Sequence, residues 1–354
     1  MDLIYGIPIL GLVIQFLVYF FTQLPVFAPA VVNAATPITL GALCGFMNER
    51  SGVVNIGIEG MMLTAAFVAW WSASLAYQLI PVSGGPLGIS PALLIGLAAA
   101  LLAAMAVSAV HAWLSISVRA DQIISGTIIN IFAVGITSYL NLLISQKSPP
   151  TAGSFSELNL PFFITGLPVI GGILKAFLGV SPIVFVMLFS VIGLQILLYR
   201  SRWGLRTRAV GEHPKAAETV GIDVIRMRYR NVILGGVFAG MAGAYLSIDF
   251  GDAFQGEMTQ GRGFIALAAL IFGRWTPVGA FGAALLFTAS TGLYRSLQFT
   301  RPEGQLGDLL TAVPSQFYGA LPYLITIIVL AGVVGRSVAP AAVGRPYERE
   351  SRGA

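Results

Sequence analysis

A chain of 354 residues that is 56% hydrophobic and only 10% charged is too apolar for a soluble domain, where roughly a quarter of residues carry charge, and its mean hydropathy of +0.84 points to an integral membrane protein. The net charge of +5 is gathered in one island rather than spread over a basic face, which argues for membrane topology and against a nucleic-acid partner. A single cysteine, Cys44, leaves no internal disulfide or cysteine metal site, and two histidines, His111 and His213, do not make a metal or proton-relay cluster.

In chain order, the first segment lacks the basic start of a cleaved signal peptide and is read as the first membrane helix. Spans of roughly 20 apolar residues, shorter where a helix is broken or re-entrant, are expected at residues 7–27, 34–47, 58–80, 91–117, 122–145, 181–199, 231–248, 263–273, 278–297 and 319–335. The second and eighth are short and are expected to be interrupted. The fold class is therefore all-α: a polytopic membrane protein of about ten transmembrane or partly re-entrant helices, forming one domain over residues 1–335. A basic tail, 336–354, is expected to be disordered. Ten crossings place both termini on one side. Fifteen Lys and Arg then fall on that side and five (Lys147, Lys175, Arg262, Arg295, Arg301) on the other, so the positive-inside bias puts both termini in the cytoplasm. The proline- and glycine-rich stretch 146–180 reads as a structured outer loop. Trp70, Trp71, Trp113, Tyr199 and Trp203 are expected as interfacial anchors, and the pairs Gly41/Gly45 and Gly236/Gly240 allow close helix contact.

Two polar constellations interrupt this apolar pattern. The first runs from Asn48 to Met62 with glycines at 52, 57 and 60. Broken helices with polar groups at membrane depth line substrate paths or gates, so Asn48, Glu49, Arg50, Asn55 and Glu59 are candidates for a translocation pathway or gate. Glu49 and Arg50 are placed to pair, and Glu59 to face the path or cap a neighbouring helix; a hydrated cytoplasmic turn is the plainer alternative. The segment 261–277, GRGFIALAALIFGRWTP, also carries the mark of an interrupted helix.

The second constellation is the island, residues 200–230, which holds eight of the twenty Lys and Arg. Pro214 suits a first helical position and Gly221 a left-handed stop, while Asp223 is a fair N-cap for the next helix. Between them lies a short helix with small residues Ala216 and Ala217, shaped to enter a partner's groove or, alternatively, to rest on anionic lipid. Asp249, Asp252 and Glu257 read as a solvated outer loop. His213 reads as a surface residue and His111 as packing. No GxxxxGK[ST], GxSxG, HExxH or paired CxxC motif occurs. No catalytic cluster, metal site or cofactor site is therefore expected, and any work on a solute must draw on an ion gradient or a partner.

The run NERSGVVNIGIEGMML (residues 48–63), the island's RAVGEHPKAAETVGI (208–222) and GRGFIALAALIFGRWTPVGAFGAALLF (261–287) together resemble ABC-importer permeases of the branched-chain amino acid and simple-sugar superfamily, and within it the nucleoside permease branch. The resemblance covers roughly residues 7–335. It implies a transport subunit without its own ATPase site, in a bacterial or archaeal plasma membrane. It also implies a second related permease or a second copy, a cytoplasmic ATPase that binds ATP and Mg, and an extracytoplasmic substrate-binding lipoprotein. Gly211, Glu212, Pro214, Ala216 and Ala217 match the family's coupling motif and, with Lys215 and Gly221 of the same segment, would dock on the ATPase. The solute implied is a small polar molecule, foremost a nucleoside, with ribose or another simple sugar second. An ion-driven secondary transporter is the rival class; it would be expected to hold mid-span carboxylates or histidines.

Overall fold

The computed structural model describes residues 8–80, 89–146, 149–157, 170–299, 305–314, 316–317, 320 and 338–348. Among these the protein is helical throughout, with no strand: α1 (Pro8–Glu49), α2 (Ile58–Leu79), α3 (Pro91–Ala112, running on into a π-helical turn, Trp113–Ser117), α4 (Gln122–Ser145), α5 (Ile170–Leu178), α6 (Pro182–Arg200), α7 (Arg202–Glu212), α8 (Pro214–Thr219), α9 (Val224–Ile248), α10 (Arg262–Phe272), α11 (Pro277–Phe299) and α12 (Gln305–Ala312). Among the described residues six stretches are long and apolar enough to cross a bilayer: Val26–Glu49, Ile58–Leu79, Pro91–Ser117, Gln122–Ser145, Pro182–Arg200 and Val224–Ile248.

The described residues within Met1–Ala35, Glu157–Phe185 and Leu285–Gly335 form one compact unit. In it Tyr19 and Leu306 are buried together, flanked by Leu12, Phe16, Leu310 and Val313, and Thr288 Oγ1 donates to the Val31 carbonyl at 3.2 Å. Residues within Thr36–Ser156, Val186–Ala284 and Arg336–Ala354 form the other, built on α2, α3 and α9. Membrane helices associate by backbone approach rather than by the hydrophobic effect, and the glycines of α9 show how. A Cβ on Gly236 would lie 2.9 Å from the Ala104 carbonyl, one on Gly240 2.8 Å from Leu101 Cα, and one on Gly243 2.7 Å from Ala65 Cβ. Gly41 and Gly45 likewise face α10, at Ala266 and Leu270. By contrast α4 buries a single stripe, Ser125, Gly126, Ile129, Ala133 and Thr137, and leaves Ile124, Ile128, Ile131, Phe132 and Leu142 exposed, as a helix facing acyl chains or a second apolar surface does.

Several expectations change. The first two spans are one helix of 42 residues. The helix continues through residues 28–33, expected to lie between two spans, and it includes Pro29 and Pro37, each of which forgoes one backbone hydrogen bond. Asp223 caps the helix that continues into the seventh span, as its position suggested: its side chain accepts from Arg226 N–H at 3.0 Å, and α9 carries Arg228 inward. Trp70 is not an interfacial anchor: it is buried against Phe67 and Phe254, whereas Trp113 and Tyr199 are exposed. The expected helix at 319–335 falls almost wholly outside the described residues. The tail is not disordered over 338–348; it makes a turn at 341–344 and packs on the rest of its unit.

Candidate functional site

The Asn48–Met62 block is a seam between helices. After α1 ends, Ser51 and Val53 donate N–H to the Asn48 carbonyl at 3.0 and 3.1 Å, and the chain then runs extended until α2 begins. This extended stretch is pinned rung by rung to α3 and α4. Val54 N–H donates to Gln122 Oε1 at 2.7 Å, the Val54 carbonyl lies 2.9 Å from His111 Nε2, and Gly60 N–H donates to Asn130 Oδ1 at 2.8 Å. Asn130 Nδ2 in turn donates to the Ile56 carbonyl at 3.0 Å, so a single amide closes the gap left where the helix is broken. Asn55 holds the first turn, accepting from Gly57 N–H at 3.0 Å. Asn130 stands nine residues past the cap of α4, about 13 Å along the helix. The start of α2 therefore lies at depth, not at the rim.

Glu49, Arg50 and Glu59 all act on α10. The Glu59 carboxylate accepts N–H from Gly261 at 2.8 Å and Gly263 at 2.6 Å, satisfying two orphan donors at the helix N-terminus and placing negative charge at the positive end of its dipole. Past the C-terminus, Arg50 Nε donates to the Trp275 carbonyl at 2.8 Å and Nη2 to the Arg274 carbonyl at 3.4 Å, while the Trp275 indole N–H donates to Glu49. The turn they hold contains two consecutive non-glycine residues in the left-handed region, Arg274 (φ 54°) and Trp275 (φ 51°), a conformation that persists only when its surroundings impose it. Burial draws the Arg50 guanidinium below the ordinary arginine value, opposed by nearby Tyr199 and Glu212. Glu49 and Arg50 thus do not pair with each other; each reaches across to the 273–276 turn. Asn48 is fully buried with its Oδ1 against Gly235 of α9.

At 11 residues α10 is about 16 Å long, half of a membrane crossing, as its interrupted pattern suggested. Arg262, counted above with the outer residues, sits beside Glu59 within the depth of the bundle and donates to the Met258 carbonyl at 2.8 Å. The charge bias keeps its direction without it. Paired half-elements of this kind, an extended break and a half-length helix, are the parts from which transport paths are built. Gln122 and Asn130 escaped the sequence reading, and His111, read as packing, holds the Val54 carbonyl besides. The available signal was a lone polar side chain inside an apolar span.

The island folds as its caps prescribe. Pro214 is the first residue of α8, Gly221 takes φ 84°, and Gly221 and Ile222 N–H close the helix onto the Glu218 and Ala217 carbonyls at 2.9 and 3.1 Å. An additional helix, α7, precedes it, capped by Ser201 Oγ accepting from Gly204 N–H at 3.0 Å. Ala216 and Ala217 do not share a face. Ala217 is buried with Val210, Val224 and Tyr347, whereas Ala216, with Glu212, Lys215, Val220 and Gly221, is exposed. Gly211 is buried because its backbone lies on the Arg50 carbonyl, leaving no room for a Cβ. His213 is exposed between α7 and α8. Arg50, Tyr199, Leu205, Arg208, Ala209 and Glu212 line an open cleft of about 360 Å³ beside this segment, so the island and the polar seam meet at Arg50.

Residues 28–339 match the family described as the permease component of branched-chain amino acid transport systems. The chain is 38% identical to the guanosine ABC transporter permease protein NupQ of Bacillus subtilis, with 93% of this chain and 98% of the relative covered. It is 36% identical to the nucleoside ABC transporter permease protein NupC of Lactococcus lactis, covering 88% and 93%. It is 34% identical to the putative glucose ABC transporter permease protein TsgC13 of Haloferax volcanii, covering 91% and 97%. No solved structure matches the chain.

Proposed function

Because the chain belongs to the family of permease components of branched-chain amino acid transport systems, we propose that it is the membrane-spanning subunit of an ATP-driven ABC importer and that it moves nucleosides across the plasma membrane. The observation that carries this reading is the exposed edge of α8, a short helix begun by Pro214 and stopped at Gly221 in the middle of the positively charged island, together with two relatives named for guanosine and nucleoside transport. The exposed residues Glu212, Lys215, Ala216 and Gly221 enter a groove on the cytoplasmic ATPase, while Pro214, Gly211 and Ala217 set the helix at the right height. The partner ATPase binds ATP and Mg; this chain binds neither. An extracytoplasmic lipoprotein delivers the solute, and a second permease, related or identical, completes the path. Both termini face the cytoplasm.

In the working cycle, closure of the ATPase domains pulls on α8, and the helices move as packed bodies between inward- and outward-open states. The polar seam serves as a gate frame. Glu49, Arg50 and Glu59 hold the half-helix α10 in register, while Asn55 holds the turn before α2 and Asn48 packs against α9, so the path can change width without losing backbone hydrogen bonds. Glu59 contributes as a tie, each carboxylate oxygen accepting one backbone N–H of α10's start, and solute selectivity rests with the receptor.

A sugar permease is the second reading, favoured by the 34% identity to a relative named for glucose. Uptake of labelled guanosine by cells producing the complete transporter, with unlabelled nucleosides or sugars as competitors, decides between them. Competition by nucleosides alone supports the proposal. Competition by sugars with no effect of nucleosides overturns it.

A further inference from the structure

Resting on that reading, we propose that residues 338–348 are a strap that joins the coupling segment to the seam around Gly52, so that both move as one piece, with Arg228 as the positioning residue that keeps the strap seated. The strap touches the coupling segment three times. Ala342 N–H donates to the Gly211 carbonyl at 2.9 Å, Ala341 N–H donates to Glu212 Oε2 at 3.2 Å, and the Tyr347 hydroxyl donates to Glu218. Its ring completes the apolar cluster around Ala217, the inward face of α8. On its other side Gly344 N–H donates to the Gly52 carbonyl at 3.3 Å, two residues from the arginine that holds the end of α10. A continuous line of contacts therefore runs from α8 through the strap to the seam.

Arg228 explains why the strap stays down. Its side chain is 1% exposed, Nη1 donates to the Arg345 carbonyl at 3.0 Å, and its guanidinium lies 6.0 Å from the Tyr347 ring centroid. Among the described residues Nε and Nη2 have no hydrogen-bond partner. A buried guanidinium whose hydrogen-bond acceptor comes from the strap would lose that acceptor if the strap lifted, an expensive outcome for a desolvated charge. Gly52 fits the same picture. It has φ 91°, and a Cβ there would lie 2.7 Å from Arg228 Nη2, so the seam makes room for this one side chain.

The test uses the complete transporter in proteoliposomes and reads solute moved per ATP hydrolysed, a ratio that a merely stabilising tail would not alter. Ending the chain after Ser337, or replacing Tyr347→Cys with Glu218→Cys, is expected to lower that ratio about tenfold while ATP turnover stays within about twofold. Joining the two new cysteines with a short bis-maleimide is expected to restore it; Cys44 is fully buried and does not compete. An unchanged ratio in the shortened chain overturns the proposal, as does loss of uptake on joining, which would mean that the strap must release. Hydrogen exchange at residues 211–219 of the purified permease supplies a readout independent of solute and ATPase. Faster exchange without the strap is expected, and unchanged exchange overturns the strap. Wild-type vesicles that fail to move any nucleoside count against the functional reading alone.

Discussion

Replacing Glu59→Gln isolates the tie between α2 and α10. The carboxylate receives two backbone N–H groups, from Gly261 and Gly263, while 8% exposed. Glutamine keeps one carbonyl oxygen, so one donor is left facing an amide NH₂, and the charge at the helix N-terminus disappears. A hydrogen bond to a charged acceptor is worth roughly 1.5–3 kcal/mol and the charge–dipole interaction about 1 kcal/mol in a partly buried setting, which predicts a loss of about 3 kcal/mol. Unfolding the purified permease by SDS titration, followed by tryptophan fluorescence, measures this directly. Glu257→Gln, on an exposed loop position, is the control and is expected within about 0.5 kcal/mol of wild type. If α10 frames the path as proposed, uptake falls with the stability of Glu59→Gln. A Glu59→Gln protein that unfolds with wild-type midpoint would refute the capping role and return Glu59 to the solute path.

Other substitutions separate surface from support. Ala216→Trp adds an indole to an exposed position of α8 and should leave folding intact while abolishing co-purification of the ATPase; normal assembly would move the docking surface elsewhere. Ala217→Trp overfills the cluster around Val210, Val224 and Tyr347 and should lower stability by about 1–3 kcal/mol or more, read in the same SDS titration. Gly211→Ala places a methyl on the Arg50 carbonyl, with a loss of similar size expected; wild-type stability would contradict the observed contact. Arg50→Lys replaces a fork serving two carbonyls with a single ammonium, and hydrogen exchange across residues 273–277 should quicken about tenfold for a loss near 1.4 kcal/mol.

Local rules carried the sequence reading as far as local rules reach. The start of α8 at Pro214, its stop at Gly221 and the cap at Asp223 were legible because each depends on a residue's own backbone preference. The half-length of α10 was legible because glycines and arginines bracket an apolar run too short to span. Partners distant in sequence were not. Glu59 reads equally well as a path residue or a cap until Gly261 and Gly263 are brought to it, and Glu49 beside Arg50 looks like a pair until Trp275 separates them. The helix α7 was hidden because four of its eleven residues are arginine or glutamate and it offers no apolar stripe. The tail looked disordered from composition, yet its order comes from backbone donors at 341, 342 and 344, which no composition reveals. The continuity of α1 across residues 28–33, read as lying between two spans, was not legible either.

ATP-dependent solute uptake separates an ABC import subunit from a transporter that works alone. Vesicles holding this chain, its partner permease, the ATPase and the receptor lipoprotein would be given labelled guanosine with ATP, without ATP, and with the ATPase omitted. Uptake is expected only when ATP and the ATPase are both present. Uptake by this chain alone, driven by an ion gradient and indifferent to ATP, would contradict it.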